Sequence, residues 1–256
     1  MRVYTSTIAL LLCCACGAYS ASAATLQVSI GIRETGSAGA IFGNGTATGG
    51  IEFVNLDGQT LTADGTWQLF TFTPAVDTLT GFAGTSANGM LEAGLEWGTL
   101  EMIRVRNIDG ITLPIRLWVD NVTNTDSGGA TVEGFESSAL GAEVMFQEPG
   151  FSGSTASLLA PAPAPNLSAV TDTMAFAGSQ SYQMDFQFIN AVTTNWVRLT
   201  TFSTPNLPNP RVHLVEPGAS APTISFYAKA LVVPEPGTIV LLTLAGLGVL
   251  ARRRRG

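Results

Sequence analysis

The chain of 256 residues carries 12 basic and 19 acidic side chains, a net charge of −7, and so acidic a polymer repels phosphate backbones, which argues against nucleic-acid binding. It has one histidine and three cysteines, Cys13, Cys14 and Cys16. Because all three cysteines precede residue 24, a chain processed there can form neither a disulfide nor a His/Cys zinc site, and a cysteine-nucleophile enzyme is excluded with them.

Met1 and Arg2 form a short positive region, Ile8 to Ala18 an apolar one, and Ala21-Ser22-Ala23 or Ser22-Ala23-Ala24 a small-residue cleavage site. This is the pattern of a secretory signal over residues 1–24. A lipoprotein signal acylated at Cys14 or Cys16 is the alternative. Between this segment and the tail described below, seven basic and eighteen acidic residues remain, a net −11. Such a surface suits divalent cations and neutral glycans.

From Thr25 onward the dominant pattern is two-residue alternation interrupted by Gly, Asn, Asp and Pro, the signature of short antiparallel strands. Leu26, Val28, Ile30 and Ile32 alternate with Gln27, Ser29 and Gly31. The Gly-rich stretch from Thr35 to Gly50 reads as a mobile loop. Trp67, Leu69 and Thr71 open a further strand. Ile103 and Val105 face away from Arg104 and Arg106, and Ile115, Leu117 and Val119 away from Arg116, Trp118 and Asp120. Asp126, Ser127, Gly128 and Gly129 mark a linker.

Beyond it Val144 and Phe146 alternate with Met145, and Ala160 to Pro165 is an extended Ala-Pro stretch. Tyr182, Met184, Phe186 and Phe188 against Gln183, Asp185 and Gln187 give the cleanest strand. Val197, Leu199 and Thr201, then Val212 and Leu214, then Ile224, Phe226 and Ala228 complete the series. Trp67-Gln-Leu-Phe-Thr-Phe-Thr-Pro74 is echoed by the run from Trp196 to Pro205. The expected fold is therefore all-β: two tandem jelly-roll-like antiparallel sandwiches, at 25–126 and 132–232, joined by a linker at 127–131. One continuous sandwich is the alternative.

Chemistry-bearing residues are few. His213 alternates outward between Val212 and Leu214 and reads as a surface residue, and no Gly-x-Ser-x-Gly elbow presents a serine to it. Glu92, Glu96 and Glu101 surround Trp97 and read as a charged, solvated hairpin, although two of the eighteen acids would suffice for glycoside hydrolysis. Trp67 and Trp196, at the heads of strands, are expected in the core. Trp118 shares a face with Arg116 and Asp120 and is the candidate glycan contact, its flat ring suiting a pyranose. No catalytic residue and no metal ligand set is assigned.

The run ending in Ile115-Arg-Leu-Trp-Val-Asp-Asn-Val122 resembles the closing strands of jelly-roll carbohydrate-binding modules. That resemblance implies a structural calcium ion held at the position of Asp120, with a Gly-Phe-Glu turn opening the module. Here Gly134-Phe135-Glu136 stands after that strand instead, so neither half carries both ligands. Asp120 then reads as an ordinary strand-end carboxylate. No cofactor is expected beyond this calcium.

The last residues read VPEPGTIVLLTLAGLGVLARRRRG. Pro234 and Pro236 hold the backbone extended and keep Glu235 outside any helix. The uncharged run from Gly237 to Ala251 covers about 22 Å as a helix, short of a hydrocarbon core of about 30 Å. Arg252, Arg253, Arg254 and Arg255 resist crossing and mark the cytoplasmic side, which leaves the rest of the chain exported. This tail, 233–256, resembles the PEP-CTERM sorting signal of Gram-negative bacteria. The resemblance implies recognition of Pro234, Glu235 and Pro236 by the membrane-embedded transpeptidase exosortase, retention by the four arginines, an inner-membrane anchor through one short transmembrane helix before processing, and a cell-surface or extracellular destination after it. The expected protein is exported, non-catalytic and associated with exopolysaccharide; a secreted glycan-active enzyme using a carboxylate pair is the alternative.

Overall fold

A computed structural model of the protein describes residues 24–36, 39–202 and 209–233. The expected signal segment, the sorting triplet, the apolar helix and the four arginines lie outside these residues. Among the described residues no helix is long and apolar enough to cross a membrane.

Twelve strands make the fold among the described residues: β1 (Thr25–Glu34), β2 (Ile51–Thr62), β3 (Gln68–Phe72), β4 (Leu79–Ala83), β5 (Trp97–Asn107), β6 (Ile115–Asp126), β7 (Gly129–Glu133), β8 (Leu167–Thr171), β9 (Ser181–Phe186), β10 (Trp196–Thr200), β11 (Arg211–His213) and β12 (Thr223–Val232). They form two antiparallel sheets. Sheet A runs β10-β5-β1-β2-β4 with β11 also on β5, and sheet B runs β3-β12-β6-β9-β8 with β7 also on β6. Alternation decides which side chains face between the sheets. Leu26, Val28, Ile30, Ile32, Val105, Val197 and Val212 from sheet A share one core with Phe70, Leu117, Val119, Met184, Phe186, Ile224 and Phe226 from sheet B.

Both halves of the chain therefore build both sheets, and the two expected tandem sandwiches are one. β10 and β11, late in sequence, pair with β5, whereas the early β3 pairs with the last strand, β12. The Trp-led echo lies on strands in opposite sheets, so it is no sign of a repeated unit. The expected linker at 127–131 is a hairpin joining β6 to β7, in register from Asp126 opposite Gly129 to Val122 opposite Glu133. Asp126 Oδ1 accepts the Gly128 amide at 2.8 Å, the local bond that makes an Asp-led turn. Asp-Ser-Gly-Gly serves a tight turn as well as a linker, which is why composition misleads here.

β2 shows no clean alternation in sequence because it bulges. Its pairing with β1 slips between Val28 and Ile30, and Asn55 and Gly58 take positive φ of 54° and 75°. In β3 the phase is the reverse of that expected. Phe70 and Phe72 are buried and Leu69 is 54% exposed.

In the Gly-rich stretch after β1, residues 39–50 pack against β11 and β5 of sheet A. A side chain at Gly45 would come within 2.2 Å of the Asn209 carbonyl and 2.4 Å of Thr99 Cγ2, so only glycine permits the approach. The amides of Phe42 and Gly45 donate to Arg211 O and Asn209 O, at 2.8 and 3.2 Å, and pin this strap in place.

Candidate functional site

The core uses the apolar side of sheet A; the other side collects cations. Arg33 of β1, Arg104 and Arg106 of β5, Arg198 of β10 and Arg211 of β11 each alternate with a core residue and so face outward. Five of the seven basic residues between the terminal segments thus share one face of an otherwise acidic body.

Glu101 gathers two of them. Arg33 donates to it from Nε at 3.0 Å and Nη2 at 2.9 Å, and Arg198 from Nη2 at 2.6 Å. The carboxylate is 4% exposed, so it is held as a buried ion bridge and is not part of a solvated hairpin as expected. Beside it, Ile51, Phe53 and Met102 form a second apolar cluster with Phe82 and Trp196 packed on it. Arg104 lies 5.7 Å from the Phe53 ring and 5.3 Å from that of Trp196, and Arg198 lies 5.5 Å from Phe82. These are cation–π distances. Burial, with the charge of Arg106 adding to it, lowers the Arg104 pKa to about 10.

At the end of this face Trp97 stands opposite His213. The two rings stack at 4.0 Å, and the Arg211 guanidinium lies 3.7 Å from the Trp97 centroid. Groups this close cannot share one ring face, so the indole is held between them. His213, expected at the surface, is 7% exposed. Alternation does turn it away from the core, but the neighbouring elements cover it. Its Nδ1 lies 3.1 Å from Asp126 Oδ2, and its amide donates to Asn124 Oδ1 at 2.6 Å. That side-chain bond is the main cause of the lowered Asp126 pKa.

On sheet B, Trp118 is 4% exposed and its Nε1 has no partner. The expected glycan contact is thus a buried side chain. Arg116, which Asp185 holds by paired bonds of 3.0 and 2.7 Å, and Lys229 each lie 5.9 Å from its ring. Asp120 is wholly buried and accepts three backbone amides, those of Asn121, Phe176 and Ala177, at 2.7, 2.8 and 3.1 Å. Burial nonetheless raises its pKa, and the charge of Glu136 adds to that. Glu136 accepts the Ser179 and Gln180 amides and the Ser179 hydroxyl, and these bonds lower its pKa. The two residues that sequence connected with calcium are therefore near neighbours, each occupied with protein donors. Among the described residues no three His, Cys, Asp or Glu side chains group as a metal site would need.

An open cavity of about 620 Å³ lies between the turn after β3, the segment 89–96 and residues 215–217. Leu79, Leu91, Leu95, Val215 and Pro217 give it apolar walls, with Asp77, Glu92 and Glu96 as its acids. Of the three glutamates that sequence placed around Trp97, two line this cavity and Glu101 is turned to the arginines.

β12 ends at Val232, and the Val233 amide still donates to Pro114 O at 2.8 Å. The sorting triplet begins at the next residue, so it follows the paired strand with no spacer. Neither a curated protein nor a solved structure matches the chain. A family model described as the PEP-CTERM protein-sorting motif matches residues 232–255. The chain thus carries a PEP-CTERM sorting motif, the mark of an exported protein handled by exosortase, directly behind the last strand of an antiparallel β-sandwich.

Proposed function

We propose that the protein is a non-catalytic component of the cell surface or extracellular matrix, delivered by its sorting motif and associated with secreted polysaccharide. The observation that carries this reading is the direct junction of motif and sandwich. The described residues form one sandwich around one main core, and this body is the cargo that sorting delivers. On the outer face of sheet A the half-buried rings of Phe82 and Trp196, with Arg198 beside Phe82, are the groups best suited to hold a glycan, since guanidinium groups and ring faces both pack against sugars. Most buried carboxylates are already engaged, Glu101 and Asp185 with arginines and Asp120 and Glu52 with backbone amides, which supports a non-catalytic role. Residues 237–251 anchor the chain in the inner membrane until exosortase acts, after which the sandwich is released or re-anchored outside.

One observation favours the enzyme alternative: Glu92 and Glu96 do line a common open cavity. Affinity electrophoresis on a panel of polysaccharides, followed by assay of reducing-sugar release, separates the two. Retardation without release is expected. Release abolished by Glu92→Gln or Glu96→Gln would establish the enzyme. Sorting is tested by Glu235→Ala and by deletion of Arg252 to Arg255, each expected to leave the chain uncut or misplaced; unchanged processing would remove exosortase from the account.

A further inference from the structure

Arg211 of β11 stands directly opposite Thr99 of β5 on the outer face of sheet A. The arginine is 1% exposed, and no carboxylate pairs with it among the described residues. Its Nε and Nη1 have no hydrogen-bond partner, and neither has the buried Oγ1 of Thr99. A buried cation without a counter-ion is costly, and buried donors are almost always satisfied. Burial accordingly lowers the Arg211 pKa. Stacking on Trp97 at 3.7 Å offsets part of the cost through the ring face, but it offers the in-plane N–H groups no acceptor. Directly opposed residues hold their Cβ atoms about 5 Å apart, so one acceptor group can reach both side chains.

We propose that Arg211 and Thr99 form a binding site for a carboxylate group beneath the glycine strap. One guanidinium and one hydroxyl match a single negative charge, and the acidic body around them disfavours a dianion. Over the pair the strap carries glycine. A side chain at Gly39 would sit 3.5 Å from Arg211 Nη1, and one at Gly45 would overlap Thr99 Cγ2 at 2.4 Å. Glycine at these two positions keeps side chains off the unpartnered atoms, and displacement of residues 39–45 would open the site. Trp97 and His213 act as positioning residues, fixing the plane of the guanidinium from behind. The carboxylate is that of a free small acid or of a uronate in an acidic polysaccharide. The second source rests on the polysaccharide reading above; the site itself does not.

The test is calorimetric titration of the full-length protein in detergent with sodium glucuronate, with a glucuronate oligomer, and with glucose as the uncharged control. Saturable binding of glucuronate and none of glucose is expected. Arg211→Gln should weaken it at least tenfold and Thr99→Val several-fold. The valine variant is isosteric and removes only an unpartnered hydroxyl, so its melting temperature should not fall, and it carries the test if Arg211→Gln does not fold. Absence of saturable glucuronate binding, an equal response to glucose, or wild-type affinity in Thr99→Val would overturn the site. An oligomer that binds more tightly than the monomer identifies the polymer as source; equal affinity identifies the free acid. Retardation on polysaccharide without glucuronate binding would sink this site and leave the matrix reading standing, and the converse result would do the opposite.

Discussion

Arg198 donates from Nη2 to Oε1 of Glu101 at 2.6 Å across 97 residues of sequence. That one bond ties the second half of the chain into the sheet that the first half begins. Arg33, from the first strand, completes the bridge on the same carboxylate. Glu101→Ala would leave two guanidiniums, each 15% exposed, without their counter-charge. Breaking a buried ion bridge by removing one partner costs about 3 kcal/mol. In urea, the variant should show a correspondingly lower midpoint with unchanged m. Both proteins should unfold in a single transition, and two separable transitions would contradict the single core.

Glu34 is 5% exposed, with Oε1 accepting the Glu92 amide and Oε2 without a partner. Burial raises its pKa above 4.5, and the charges of Glu52 and Glu92 add to this. A carboxyl with a raised folded pKa favours the native state while protonated, below its unfolded pKa. That contribution is lost as pH rises through the folded value. Glu34→Gln keeps the acceptor for Glu92 and removes the buried charge. The variant should therefore be the more stable at pH 7 and lose this advantage near pH 4; a gain independent of pH would show that charge is not the cause.

Trp118 fills the layer beneath Arg116 and Lys229. Trp118→Ala should cost about 3–5 kcal/mol, the usual penalty for truncating a buried tryptophan. Trp118→Phe keeps most of the apolar volume and drops the unpartnered Nε1, so its cost should be smaller. Retardation on polysaccharide gels should be unchanged in the phenylalanine variant. Lost retardation in a variant that still melts like the wild type would restore Trp118 as a contact.

The hydrogen bond from Val233 to Pro114 holds the chain flush with the sandwich one residue before the sorting triplet. A membrane-embedded transpeptidase needs room around its substrate backbone. Six Gly/Ser residues inserted between Val233 and Pro234 should speed processing in a pulse-chase experiment. Slower processing would mean that the junction itself is recognised.

Much of the strand content is legible in the sequence, because side chains on a strand alternate with period two whatever it pairs with. Leu26 to Ile32, Ile115 to Val119 and Tyr182 to Phe186 are read correctly for that reason. The sorting tail is legible too, since its proline corner, apolar run and arginines act locally. Partner choice is not local. Nothing in the residues around Trp196 or Phe70 says that the first joins β5 and the second β12; long-range packing decides it, and with it one sandwich in place of two. Outward alternation likewise says only that a side chain leaves the core. Whether it then meets water, as expected for Trp118 and His213, or a neighbouring side chain and strap, depends on what the rest of the chain lays over the sheet. The stack of Arg211, Trp97 and His213 exists only in the folded protein, because it needs two strands that lie more than a hundred residues apart in sequence.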